Sequence, residues 1–585
     1  MKKNILKVLK DLYNYKYIYI LRATALQLMV TTLGVFSLSL LFRSILISTD
    51  LPGITTDNIL SFLTNPLTLA LLVLYLFVLA FLVYFEFSLL VEMIWRKEAR
   101  LHLTISRLKR DTVNFLKSLS SGHLFFFLLY LILMIPFLQY FFTSAVLENL
   151  YIPRFISGEL LHTTNGKLLY YGLYAILTYV NLRLIYTLPL VVTGNGEHFG
   201  YKMAESWRLT KGKKIFDLIG LVLVVLILLA VLLGISLIGV GFAAVFDQTT
   251  DNIIIETIFL SFVWGLLFSG NLLVKLASLS YLLNLLVERR VDLTVASSPK
   301  VVKKKRNILA LIVLLILIGG VSFLYNSAQV ADNSIDNIQV IAHRGYPNGG
   351  VENSIDALEA AAKENIHFVE MDIILSKDNQ FIVSHDNNLK RLAGKNTLIS
   401  KSLASDVIDT EIRQNGHTSR ISSFDSYVAK AKELGITLLV ELKTTGSEPA
   451  NYEQLFVDKL NSLEVSQVYP VMSTDLSVVE KVKTINKNIQ TGYCISLQIG
   501  NFTSQRVDFY ALEDFSYNEL LASEAHKNGK KIYAWTINAS SDIEKYLQTS
   551  VDGLITDYPL LVKTEKTELK DDNYFAYFLR LISLS

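Results

Sequence analysis

The chain has 585 residues, of which 51% are hydrophobic and one is cysteine, with 55 Lys and Arg against 52 Asp and Glu and a mean hydropathy of +0.40. The apolar excess excludes a purely soluble enzyme, the single Cys494 excludes an internal disulfide, and nothing in the charge pattern points to nucleic acid. Charge and hydropathy both divide near residue 326: the earlier part carries 30 Lys and Arg against 17 Asp and Glu, the later part 25 against 35.

Seven apolar runs before that point are long enough to cross a bilayer, which takes about 20 residues each. They span 21–45, 67–94, 124–146, 168–192, 215–246, 253–286 and 308–325. The fifth and sixth are over-long, which leaves three readings open: tilt, helical extension beyond the membrane or, in the sixth, a break at Ser269-Gly270-Asn271. Lys and Arg concentrate at the N-terminus and in the loops after the even-numbered spans, 24 residues against only Arg154 and Lys167 in the other loops. This bias predicts a cytoplasmic N-terminus, and seven crossings then put the remainder outside the cell. The first span lacks a small-residue cleavage site and is expected to remain as an anchor. Glu86, Arg183 and Lys275 fall inside spans, where charge is costly, and form either an internal polar cluster, a headgroup groove or helix pairs. The basic excess suits contact with anionic headgroups of the phospholipid bilayer.

After a linker at 326–338, strand-like and helix-like segments alternate, the pattern of a parallel sheet wrapped by helices. Candidate strands are 340–343, 368–372, 438–443, 468–473, 490–494, 509–512, 531–536 and 553–556, the eight that a TIM barrel requires. The segment 381–384 is an extra strand beyond the second, and 387–423 an insertion. His343 and Arg344 emerge where the first strand ends, and His385-Asp386 where the extra strand ends. Glu370 and Asp372 sit two apart on one strand, as do Glu441 and Lys443 on another, so each pair shares a face. Three carboxylates, two imidazoles, a guanidinium and an ammonium at the C-terminal ends of barrel strands suit a phosphate ester held by a metal. Glu370, Asp372 and Glu441 are the candidate oxygen ligands for Ca²⁺ or Mg²⁺, and Glu352 is a fourth ligand or a substrate contact. Arg344 and Lys443 complete the clamp, His343 and His385 share acid and base work, and Trp535 either stacks on the alcohol portion or packs the barrel top.

In order, His343-Arg344-Gly345, Glu352-Asn353, Glu370-Met371-Asp372, His385-Asp386 and Glu441-Leu442-Lys443 resemble the signature of the glycerophosphodiester phosphodiesterase family. The likeness continues through Ala534 to Asn538 and Asp552 to Asp557, and so covers about 338–562; Val351 stands where the family usually has proline. The resemblance implies an α/β TIM barrel at 339–562 that hydrolyses glycerophosphodiesters to glycerol phosphate and an alcohol. Lysophospholipids, deacylated phospholipids and envelope glycerophosphate polymers are the substrates it allows. Residues 1–325, including Ala204 to Lys213, are similar to the membrane domain fused to this family in Gram-positive bacteria, and 563–585 reads as an amphipathic tail for the interface or the barrel. The alternative is a lipid-handling or transport module, with the barrel as its binding or processing partner.

Overall fold

The computed structural model describes residues 1–48, 53–55, 64–96, most of 112–138, 164–193, 197–246, 252–289, 304–331, 335–502 and 505–571, together with Tyr574 and Phe578. Its first part is helical. Helix α1 (Lys2–Met29) passes through a π-helical turn at Val30–Gly34 into α2 (Val35–Ser48). The helices α3 (Pro66–Arg96), α4 (His123–Leu138), α5 (Thr164–Leu184), α6 (Thr187–Thr193), α7 (Phe199–Leu209), α8 (Ile219–Phe246), α9 (Ile253–Arg289) and α10 (Lys304–Ala331) follow. Six helical stretches among the described residues are long and apolar enough to cross a membrane. The predicted third span is represented by α4, and its residues 139–146 lie outside the described ones. Outward-facing positions stay apolar, as at Phe36, Leu229, Ile238 and Leu317, which suits helices solvated by lipid.

The structure adds two details to the spans. The first helix starts at Lys2, well before residue 21, because its early turns have a partner of their own: Val8 and Leu12 are buried and Asn4 Nδ2 donates to Glu288 Oε2 at 3.0 Å. The sixth is unbroken at 269–271. Gly270 serves close packing there, since a Cβ would stand 2.7 Å from Leu232 Cδ1 of α8.

The charges within the spans find partners inside the bundle. Lys275 Nζ lies 2.6 Å from Glu86 Oε1, both buried, and 3.3 Å from Gln27 Oε1. Arg183 stands apart from them and donates to the carbonyls of Thr210 and Trp207 at 2.7 and 2.6 Å. Arg289 adds a bond to Leu209 O at 2.9 Å, so two guanidinium groups cap the C-terminal turn of α7, where the exposed carbonyls favour cations.

The second part is a closed barrel. Its parallel strands are β2 (Gln339–Ala342), β3 (Phe368–Leu375), β7 (Thr437–Leu442), β8 (Val471–Ser473), β9 (Thr491–Ile495), β11 (Phe509–Glu513), β12 (Lys531–Trp535) and β13 (Gly553–Thr556), in chain order around the ring. Pairing of Ala342 with Val369 closes it. All eight predicted strands are there, and the predicted extra strand is β4 (Phe381–Val383), antiparallel to β3. Ile341, Leu439, Met472, Cys494, Ala511, Tyr533 and Ile555 pack one interior cluster. The insertion at 387–423 holds a hairpin of β5 (Glu411–Gln414) and β6 (His417–Arg420). Its turn is Asn415-Gly416, both at positive φ, the twist a two-residue hairpin needs.

Among the described residues, three connections join the two parts. Helix α10 leads through a 3₁₀ turn at Ile335–Asn337 into β2. After the barrel's last helix (Pro559–Asp571), Tyr574 and Phe578 are buried with Val240, Ala243, Phe259, Leu260 and Val263 of α8 and α9. Finally β1 (Gly53–Thr55), which follows α2, pairs antiparallel with β10 (Gln498–Gly500), which follows β9.

Candidate active site

On β3, the side chains of Glu370 and Asp372 point to the opposite face from Met371, which is buried in the wall between barrel and helices. The register sets Asp372 directly beside Glu441 on β7. One oxygen from each of the three carboxylates lies within 4.8 Å of the others, and all three residues are buried. Glu370 Oε1 and Asp372 Oδ1 make no hydrogen bond; the Lys443 ammonium stands beside Asp372 Oδ1, whereas Glu370 Oε1 is left bare, a costly arrangement for a buried carboxylate unless a cation completes it. Lys443, one residue past β7, sets its ammonium 2.6 Å from Glu441 Oε1 and 3.2 Å from Asp372 Oδ1. Burial, with Asp372 and Glu441 alongside, pushes Glu370 well above the ordinary carboxyl range. Asp372 is as deeply buried, yet the charges of Lys443, His385 and Arg344 and a hydrogen bond from Asn353 hold it low. The chemistry of this donor set, hard oxygens only, fits a cation of the Ca²⁺ or Mg²⁺ type.

The turn after β2 supplies the guanidinium. Arg344 has φ 55° and Gly345 φ 90°, and a Cβ on Gly345 would lie 2.8 Å from Ala357 Cβ, so only glycine lets the following helix (Ile355–Lys363) approach. Through this turn Arg344 N donates to Glu370 Oε2 at 3.0 Å, its Nη1 reaches Glu352 Oε1 at 3.1 Å and its Nε lies 3.4 Å from Asp372 Oδ2. Asn353, also at positive φ, bonds Asp372 twice, donating from Nδ2 at 2.8 Å and accepting the backbone N–H at 3.0 Å.

Each histidine has a carboxylate behind it. His343 Nδ1 lies 2.7 Å from Asp557 Oδ1, and His385 Nδ1 lies 2.8 Å from Asp386 Oδ1. A carboxylate at Nδ1 keeps the proton there and leaves Nε2 as the working nitrogen. For His343 that nitrogen is 4.0 Å from Glu370 Oε2, beside the three acids. Burial works against ionisation of Asp557, but the charge and hydrogen bond of His343 and the amide of Asn538 bring it down to about 2. Asp386, half-buried, is held below the usual carboxylate range by His385 and Arg391.

The structure thus brings His343, Arg344, Glu370, Asp372, His385, Glu441 and Lys443 to one end of the barrel. Glu352 shares Arg344 with the triad and otherwise has partners of its own, both terminal nitrogens of Arg391 at 2.9 and 2.6 Å and the amide of Gln414. Trp535 ends β12 half-buried, its indole N–H donating to Ala511 O at 3.0 Å. His417 and His526 lie elsewhere, bonded to Asn348 O and Asp552. Sequence reasoning quoted Asn353 and Asp557 within motifs but gave them no role in the site, and it missed Arg391 and Gln414 altogether. Asp557 was findable, because it follows the last strand as His343 follows the first. Arg391 and Gln414 had no such signal, being in an insertion without periodicity. That insertion walls a cleft lined by Glu352, His385, Asp386, Leu389, Leu392 and Ile412.

Eight parallel strands, an acidic triad and two imidazole–carboxylate pairs at their C-terminal ends define a barrel hydrolase of the phosphate-ester type. Residues 5–325 match the family model described as the membrane domain of glycerophosphoryl diester phosphodiesterase, and residues 343–561 match that of the glycerophosphoryl diester phosphodiesterase family. The chain belongs to this phosphodiesterase family, in the form that carries a fused N-terminal membrane domain. It is therefore a phosphoric diester hydrolase of glycerophosphodiesters and a multi-pass membrane protein. Among its relatives, a Bacillus subtilis glycerophosphodiester phosphodiesterase is 25% identical over 293 residues, 44% of this chain and 96% of that one. A glycerophosphodiester phosphodiesterase of Caldanaerobacter subterraneus is 24% identical over 228 residues, 38% of this chain and 94% of that one. A solved Oleispira antarctica phosphodiesterase, in complex with the product sn-glycerol-3-phosphate, is 22% identical and covers 39% of this chain and 96% of its own, with a TM-score of 0.33.

Proposed function

We propose that this hydrolysis is metal-dependent and takes place at the outer face of the cell membrane, releasing glycerol phosphate and an alcohol. The observation that carries the reading is the trio Glu370, Asp372 and Glu441, with two buried oxygens lacking hydrogen bonds, beside a histidine whose Nε2 is turned toward it. These three residues hold a divalent cation, Ca²⁺ or Mg²⁺, which when bound withdraws charge from the phosphoryl oxygens. Arg344 and Lys443 add fixed positive charge at the same point. One imidazole takes a proton from the attacking water, whose oxygen bonds to phosphorus, and the other gives a proton to the departing alkoxide as its bond to phosphorus breaks. Asp557 and Asp386 orient the two rings and stabilise them when charged. Glu352 positions Arg344, and Trp535 borders the alcohol side.

Sidedness rests on the Lys and Arg bias, and the pairing of β1 with β10 supports it. That pairing requires the loop after the first span and the barrel to share a side, hence an even number of crossings between them. The long helices after the first supply five, and α4 as a sixth makes the number even, in keeping with seven spans in all. Lysophospholipids, deacylated phospholipids and glycerophosphate polymers all present the required diester. The reading of the membrane half as a transport module draws no support from its internal charges, since Glu86 pairs with Lys275 and Arg183 with carbonyls.

The test is release of glycerol phosphate from glycerophosphocholine and from a lysophospholipid by the purified protein in detergent, with and without Ca²⁺ or Mg²⁺, beside His343→Ala. Release that needs the cation and vanishes with the substitution is expected. Release that survives chelation refutes the role of the metal, and release that survives His343→Ala refutes that of the imidazole.

A further inference from the structure

We propose that Gly53–Thr55 is a docking strand that ties the mouth of the barrel to the bilayer surface and so makes single-chain glycerophosphodiester lipids, rather than dissolved diesters, the preferred substrates. The inference rests on the phosphodiesterase reading above and deepens it.

The strand it pairs with belongs to the rim of the active site. β10 begins three residues past the end of β9, on the face that carries the triad and the histidines. β7, with Glu441, lies two places from β9 in the ring, and strands stand about 4.8 Å apart, so the rim is roughly 10 Å from the acids along the wall. β10 is itself fixed to the barrel. Gln498 N donates to Ser516 Oγ at 2.9 Å, Gln498 Nε2 donates to Asn501 O at 2.8 Å, and Phe502 stacks on Tyr510 with ring centres 3.9 Å apart.

The other side of the pairing belongs to the membrane helices. Ile54, opposite Ile499 in the register, is buried with Ile45 and Leu46 in the last turns of α2 and packs on Phe42, Leu71 and Tyr75. The same turns show apolar side chains outward: Leu40 and Ile47 on α2, Leu67, Leu69 and Val73 on α3. Surface of this kind sits among acyl chains. The mouth is thus joined to the point where lipid-facing helix ends, and the headgroup layer beyond the hydrocarbon is only about 5–8 Å deep per leaflet. With α10 entering at the opposite end of the barrel and Tyr574 and Phe578 returning to α8 and α9, the barrel is held at both ends against the membrane part. A lipid whose one chain stays in the bilayer can then offer its phosphodiester to the acids without leaving the membrane. A dissolved diester gains nothing from this arrangement.

The experiment uses the full-length protein in vesicles. In a Cys494→Ser background, Ile54→Cys with Ile499→Cys sets two cysteines directly across the pair, and an oxidant should join them in the membrane-bound enzyme; absence of the bond overturns the pairing. Separately, Ile54→Asp expels the residue from its apolar seat. Rates are compared on a long-chain lysophospholipid in vesicles and on two soluble probes, glycerophosphocholine and the same lysophospholipid with a six-carbon chain. The vesicle-to-soluble rate ratio should fall about tenfold, and no further, because the remaining connections still hold the barrel near the surface at high effective concentration. An unchanged ratio, whether both rates persist or both fall together, overturns the proposal. Wild-type protein inactive on every probe would instead count against the phosphodiesterase reading, while the cross-link still reports the docking.

Discussion

Glu352→Gln removes one charge from the carboxylate that holds the insertion to the barrel, and its cost can be worked out in advance. Burial raises the pKa of this carboxyl, but hydrogen bonds and charge from Arg391, the charge of Arg344 and the Gln414 amide outweigh it and hold the group at about 2, against 4.5 in a free chain. That difference corresponds to roughly 3 kcal/mol of folding stability at neutral pH. Because the folded value is the lower one, the contribution is complete above about pH 4.5 and is lost as the pH falls through about 2. At pH 3 it should have shrunk to roughly 1.4 kcal/mol. For a barrel of this size the neutral-pH figure corresponds to a Tm lower by about 6–12 °C in the variant. Pulse proteolysis along a heat ramp, following the barrel fragment of the detergent-solubilised protein, reads the gap at both pH values. A gap that stays constant or widens on acidification would refute the argument that the charge on Glu352 is what stabilises this wall.

Asp557→Asn and Asp386→Asn should each lower kcat by about 10²–10⁴-fold with KM little changed, since both carboxylates act through a histidine; a rise in KM at constant kcat would assign them to substrate binding. Ca²⁺ or Mg²⁺ at a hundred times its Kd should stabilise the wild-type barrel by about 2.7 kcal/mol, and Glu370→Gln or Glu441→Gln should abolish that shift in a thermal melt. In the membrane half, Glu86→Leu or Lys275→Met alone should cost about 3–5 kcal/mol by stranding a buried charge, whereas the double variant recovers most of it. A double-variant loss equal to the sum of the two single losses would mean the pair is not coupled.

The barrel was legible because several strands carry, at or near their C-terminal ends, a residue that has no business in an apolar run unless it faces a site: His343, Asp372 and Lys443 each interrupt such a pattern. Periodicity located the strands, and order along the chain located the acids, since neighbours in the ring are neighbours in sequence. What escaped was contact at long range. Arg391 and Gln414 reach Glu352 from 39 and 62 residues away, and a polar insertion carries no pattern that encodes such a meeting. The same reason hid the start of α1, where Lys2, Lys3 and Lys7 read as a loop although Asn4 and Val8 pack against helix. It also hid the role of Gly270, where a residue that signals a break in an isolated helix signals close approach in a bundle. Three residues at 53–55 gave no strand signal at all, because a strand that short is defined by its partner.

Lys443 bears on how the enzyme is assembled. Its ammonium stands between Glu441 and Asp372, Arg344 stands between Asp372 and Glu352, and Arg391 closes the far side, so three built-in cations answer three of the four buried acids from the moment the barrel forms. Folding of this domain therefore need not wait for a metal, unlike that of small domains whose ligands cannot be brought together without one. Chelated enzyme should be an intact, idle pool, and activity should return on the timescale of ion binding rather than refolding. For a barrel on the proposed outer face, where free cation rises and falls with the surroundings, that separation makes the ion supply a throttle on activity without making it a condition of survival.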